Sequence, residues 1–233
     1  MANWDNRASR RRAYFIEDAA EVLKKIALRA AVVTIFVGLM LGVGLWYAHK
    51  VTPRAVAKMR SEPLSMKVSE LTGEQLAELI LVCDPDFYTH KGVSFHAPGF
   101  RTIPHRLVEQ YYFKGYQAWL EMPVAVINAW TLNRHMPKDE QLLIFINNFD
   151  FGLSREHDVR GFQEAAQYFY DKKFRELNRD EYLSILAMLS DPEKYHIQGE
   201  ALANIERTKR IKNMLDGKCK ASSIFDVELK SCK

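Results

Sequence analysis

Long β-strand patterns, internal repeats and low-complexity tracts are missing from this chain, and for 233 residues the expectation is an anchor plus one globular domain, since a second full domain would not fit comfortably. A large excess of charge of one sign is also missing. The net charge is +4, and outside the N-terminus no basic stripe interleaved with aromatics occurs, which argues against nucleic acid as a partner. The seven histidines, among them His96, His105, His135, His157 and His196, lack zinc-type spacing, so neither a metal site nor a cofactor is expected. There are only three cysteines, Cys83, Cys219 and Cys232. One pair at most can bridge.

What the chain does have is a run of nineteen uncharged residues, Ala30 to Ala48. As a helix it would rise roughly 28 Å, close to the thickness of a bilayer's hydrocarbon. Trp46 and Tyr47 fall where an interfacial aromatic belt belongs. Basic residues crowd the sequence before the run (Arg7, Arg10, Arg11, Arg12, Lys24, Lys25, Arg29) more than after it, which puts the N-terminus in the cytoplasm. Cleavage as a signal peptide is the competing reading, with Ala55-Val56-Ala57 as its site. That site lies beyond Lys50 and Arg54, and the apolar run exceeds a usual signal core, so a retained anchor is expected.

The expected organisation is a basic cytoplasmic tail (1–29), a transmembrane helix (30–48), a connector (49–70) marked by Pro53 and Pro63, a globular domain (71–215) and a C-terminal tail (216–233). Thr72 and Gln75 form a capping-box pair ahead of a helix that ends near Cys83. Further helices are expected over 106–113, 119–133, 139–147, 161–172 and 180–189, which gives a mainly α class. In an oxidising compartment Cys219 and Cys232 can close a loop that stabilises the tail by about 3 kcal/mol. Two unpaired thiols are the alternative, and Cys83 is left over as a buried thiol.

The stretch Cys83-Asp-Pro-Asp-Phe-Tyr-Thr-His-Lys-Gly92 resembles the opening motif of glycosyltransferase family 51, the peptidoglycan transglycosylases, which reads Glu-Asp-x-x-Phe-x-x-His-x-Gly. Asp84, Phe87, His90 and Gly92 match, and Cys83 stands where the family has glutamate. Four more motifs follow in family order. The second keeps Gly99, Thr102, Leu107 and Val108, with Arg101 and Arg106 as new cations and Glu109 in place of a lysine. The third carries Glu121-Met122 in place of an arginine–lysine pair and Ala125 in place of a second glutamate. The fourth keeps Asn147 and Gly152 and runs on through Arg160-Gly161, and the fifth spans Leu177 to Tyr195. A loop that borders the cleft in the family is shortened here, over Ser94 to Pro98.

The resemblance implies a lysozyme-like, two-lobed transglycosylase-type domain behind a single N-terminal transmembrane helix, with a lipid-linked disaccharide peptide as the substrate class. Family chemistry needs a carboxylate to take the acceptor's proton and cations to hold the departing diphosphate. Cys83 and Ala125 supply neither acid, and Glu109 and Glu121 oppose a diphosphate. The expectation is therefore a pseudoenzyme, fixed in a bacterial inner membrane with its domain on the extracytoplasmic side. It would bind or regulate in envelope assembly, beside an active cell-wall synthase or another envelope protein. Asp84, Asp86, Glu109 and Glu121 are the candidate substitutes if it remains a divergent active transferase. His90, Arg101, Thr102, Arg106, Asn147 and Arg160 are the candidate ligand contacts. A purely structural component of an envelope complex is the third possibility.

Overall fold

The computed structural model describes residues 5–112, 118–154 and 157–232, with side chains for 21–112, 124–152 and 158–232. It divides into a unit of residues 1–47 and a second of residues 48–233. The first is wholly helical over its described residues and belongs to α1 (Asp5–Ser61), which is long and apolar enough to cross a membrane.

The second unit opens with the last turns of α1. The segment expected as a connector is helical as far as Ser61 and runs through Pro53. Ala48, Thr52, Ala55, Val56 and Met59 are buried at helical spacing, so this stretch has a core-facing stripe. Arg60 fixes its end by donating from Nε and Nη2 to the two carboxylate oxygens of Glu140, at 2.6 and 2.9 Å.

Among the described residues seven further α-helices follow: α2 (Gly73–Cys83), α3 (Ile103–Tyr112), α4 (Ala118–His135), α5 (Lys138–Asn148), α6 (Phe162–Tyr170), α7 (Arg179–Met188) and α8 (Ala201–Leu215). The Thr72–Gln75 capping box is formed: Gln75 N–H donates to Thr72 Oγ1 at 3.1 Å, and Thr72 N–H donates to Gln75 Oε1 at 2.9 Å. Helix α3 starts three residues earlier than expected because Thr102 Oγ1 accepts from His105 N–H, and Pro104 sits in the first turn, where it needs no donor. An antiparallel hairpin, β1 (Asp150–Ser154) and β2 (His157–Arg160), is the one sheet among the described residues.

An edge-to-face chain of rings runs from Phe145 through Phe149, Phe151, Phe162 and Phe174 to Tyr182, with neighbouring centroids 4.9 to 5.9 Å apart. It knits α5, β1, α6 and α7 into one core. Two glycines set the close approaches. Gly92 takes φ +102°, and a Cβ there would lie 2.4 Å from Ala129 O of α4. Gly161 takes φ +78°, and its Cβ would lie 2.2 Å from Asn147 O of α5. No other residue fits either place.

Cys219 and Cys232 are disulfide-bonded, with Cα atoms 5.4 Å apart. The tail they close is ordered against the domain. Gly99 N–H donates to Ile224 O at 2.8 Å, and the Arg207 guanidinium bridges Ala187 O and Val227 O at 3.1 and 2.8 Å.

Candidate functional site

Cys83 closes the last turn of α2 and is 1% exposed. Burial pushes its thiol up to about 11, against the opposing pull of the Arg106 guanidinium. Ala125, on α4, is fully buried. The two positions where the resemblance calls for acids thus hold a neutral thiol and a methyl, both within the core cluster.

The candidate substitutes whose side chains are described, Asp84, Asp86 and Glu109, are occupied. Asp84 is fully buried; its Oδ2 accepts from Ile103 N–H at 2.9 Å, and His90 Nε2 lies 3.0 and 2.9 Å from its two oxygens. The carboxylate thereby caps α3 and clamps the turn after α2. Asp86 accepts from Ser94 Oγ at 2.9 Å and meets the His96 ring; His96 first and Ser94 second hold its carboxyl below the ordinary range. Glu109 accepts from Arg101 Nε and Nη2 at 3.2 and 3.0 Å and pairs with His105 Nε2 at 3.3 Å. Burial alone would raise the Glu109 carboxyl, but His105 and Arg101 outweigh it and keep it low. The side chain of Glu121 lies outside the described residues.

Three of the candidate ligand contacts have their polar atoms engaged by the fold. Gly92 N–H donates to His90 Nδ1 at 2.9 Å, which puts the ring proton on Nε2, facing Asp84. Thr102 Oγ1 donates to Gly92 O at 2.8 Å and caps α3. Asn147 Oδ1 accepts from Ser65 N–H, Ser65 Oγ and Met66 N–H, while its Nδ2 donates to Met66 O and Leu143 O. It latches α5 to the segment that follows α1.

Arg101, Arg106 and Arg160 do come together. With Glu109 they line a cavity of about 430 Å³, which Cys83, Asp84, Asp86 and His90 do not line. Sequence reasoning missed three charged wall residues, Lys58, Glu62 and Asp150. The helical spacing of Ala48, Ala55, Val56 and Met59 was the available signal that this stretch, with exposed Lys58 on it, belongs to a helix. Among the described residues no cluster of three His, Cys, Asp or Glu could hold a metal.

The helical core thus has the turn after α2 clamped on a buried aspartate and a cleft beside the second motif. The family model described as Transglycosylase matches residues 97–216, and the chain belongs to that family. Penicillin-binding protein 1F of Bacillus subtilis is 26% identical over 170 residues, 66% of this chain and 23% of that protein. The biosynthetic peptidoglycan transglycosylase of Acinetobacter baumannii is 25% identical over 97 residues, 42% of this chain and 41% of the relative. Penicillin-binding protein 1B of Escherichia coli is 21% identical over 166 residues, 65% of this chain and 19% of its own length. The chain therefore spans less than half of each of these relatives.

Proposed function

We propose that this transglycosylase-family protein polymerises no glycan and serves instead as a binding or regulatory component of peptidoglycan assembly. It would be held by α1 in the inner membrane, with its N-terminus cytoplasmic and its domain outside. One observation carries this reading. The position of the family's leading acid is a thiol sealed in the core, and every candidate substitute whose side chain is described already serves the fold or an ion pair. General-base assistance needs a carboxylate within reach of the acceptor hydroxyl. Neither Cys83 nor Ala125 has one to offer.

The relatives named above include a biosynthetic peptidoglycan transglycosylase. That kinship supports a lipid-linked disaccharide peptide, or a synthase that handles it, as the class of partner. The test is polymerisation in detergent with labelled lipid-linked disaccharide peptide and the purified full chain. No lengthening above a protein-free control is expected. Turnover that disappears on one substitution, Glu121→Gln or Glu109→Gln, would establish a divergent active transferase instead.

A further inference from the structure

The cavity beside α3 contains a charge that the fold leaves uncompensated. Arg106 is 8% exposed, yet among the described residues it has no carboxylate partner. Its Nη1 donates to Leu189 O at 2.5 Å, and its Nε is buried without any acceptor. A guanidinium stays protonated at any physiological pH, so an interior one satisfied by a single carbonyl is a standing cost that an incoming anion would relieve.

The other charges on the wall determine what kind of anion fits. Arg101 is already paired with Glu109 at 3.0 Å, and Arg160 faces Asp158 at 3.6 Å. Lys58 carries no ion pair among the described residues, and its Nζ sits 5.8 Å from the Tyr111 ring centroid. Four cations on the wall meet three carboxylates there, Glu62, Glu109 and Asp150, and Asp158 beside Arg160 makes the local balance even. A diphosphate brings two or more negative charges into that company and would be repelled by all three. A single carboxylate matches the buried guanidinium of Arg106, which has no carboxylate of its own among the described residues. The volume, about 430 Å³, is within the range of small-ligand sites, and Tyr111, Phe149, Leu189 and Pro192 give it apolar walls.

We propose that this cavity binds one carboxylate of a saccharide-linked peptide, with Arg106 as its partner and Lys58 as a second, steering cation, and that it discriminates against diphosphate. The choice of a saccharide-linked peptide rests on the assembly role proposed above. Calorimetric titration of the full chain in detergent tests it with three probes: a lipid-free disaccharide peptide with free carboxylates, the same compound with those carboxylates amidated, and inorganic diphosphate. The free-carboxylate compound should bind, and amidation should weaken it by about tenfold or more, as expected when a buried charge loses its partner. Diphosphate should bind more weakly than the free-carboxylate compound.

Arg106→Gln should reproduce the amidation loss. Lys58→Gln should reduce affinity by a few-fold and flatten its salt dependence. If Arg106→Gln does not fold, the amidated probe and Lys58→Gln still decide. Equal binding of the amidated compound, tighter binding of diphosphate, or no binding of the free-carboxylate compound would overturn the proposal. Failure here without polymerisation leaves the silent-enzyme reading standing. Polymerisation together with carboxylate discrimination removes that reading and keeps the site.

Discussion

His90 Nε2 lies within 3.0 Å of both carboxylate oxygens of Asp84, and the same carboxylate takes the first free N–H of α3 from Ile103, nineteen residues along the chain. Two residues that match the opening motif of the transglycosylases thus join the end of α2 to the start of α3. Neither needs a substrate to explain its presence.

Asp84→Asn is therefore expected to act on stability. The amide would present N–H groups to donors, from His90 or from Ile103, in a site with no access to water. A loss of about 2 to 3 kcal/mol follows from leaving a buried donor unmatched. Urea unfolding followed by tryptophan fluorescence measures it, and a variant of unchanged stability would show that the clamp is dispensable.

Cys83 should resist alkylation. A buried thiol pushed up to about 11 presents almost no thiolate at neutral pH. Native protein treated with iodoacetamide at pH 7.5 should remain unlabelled by mass spectrometry, and labelling should appear once denaturant exposes the core. Rapid native labelling would mean that the α2 end opens into the cleft.

Placing glutamates at both positions 83 and 125 should yield no polymerisation. In Cys83→Glu with Ala125→Glu, the first carboxylate would arrive in the core beside the Arg106 and Arg207 guanidiniums, whose charges already act on Cys83. It would be held ionised and paired, a poor base, while the second would have to displace packed neighbours at a fully buried site. The expected result is no polymerisation above background and a melting temperature below that of the wild type. Robust chain extension by this double variant would show that the rest of the machinery is intact.

Lys138 gives the molecule an alkaline signature. Its Nζ lies 4.6 Å from the Phe87 ring centroid and has no hydrogen-bond partner, and burial brings its pKa down to about 8 although Asp84 pulls the other way. Between about 8 and the ordinary 10.5 the unfolded chain holds more protons at this amine than the folded one, so the amine's contribution to stability rises with pH across that window. Below it the cost of the charged amine is borne in full. Lys138→Met should raise stability at pH 7 and flatten the difference between pH 8 and 10, as read from denaturant midpoints at each pH.

Periodicity and capping made most of the helical frame readable. The Thr72–Gln75 box announced α2, and the apolar spacing of α5 and α7 placed both to within a residue or two. The last helix, α8, escaped notice because its buried face includes Asn204 and Arg207, which do not register as an apolar stripe. The hairpin was hidden by its brevity and by Gly152, and the final turns of α1 by Pro53, which suggested a linker. For the site, the letters themselves give a thiol at 83 and a methyl at 125, where the resemblance calls for acids. The commitment of Asp84 was not legible there, since its key partner is a backbone N–H far along the chain. Nor was the meeting of Lys58, Arg106 and Arg160, which depends on three distant segments converging.

Gly92 and Gly161 limit how such a scaffold can be rebuilt. Each lets one backbone touch another where even a methyl group would collide, and each has a dihedral angle that L-residues avoid. An engineer grafting working machinery onto this frame could exchange the chemistry at 83, 109 and 125 letter by letter. The spacing between the loop at 92 and α4, and between β2 and α5, would have to be inherited as it stands.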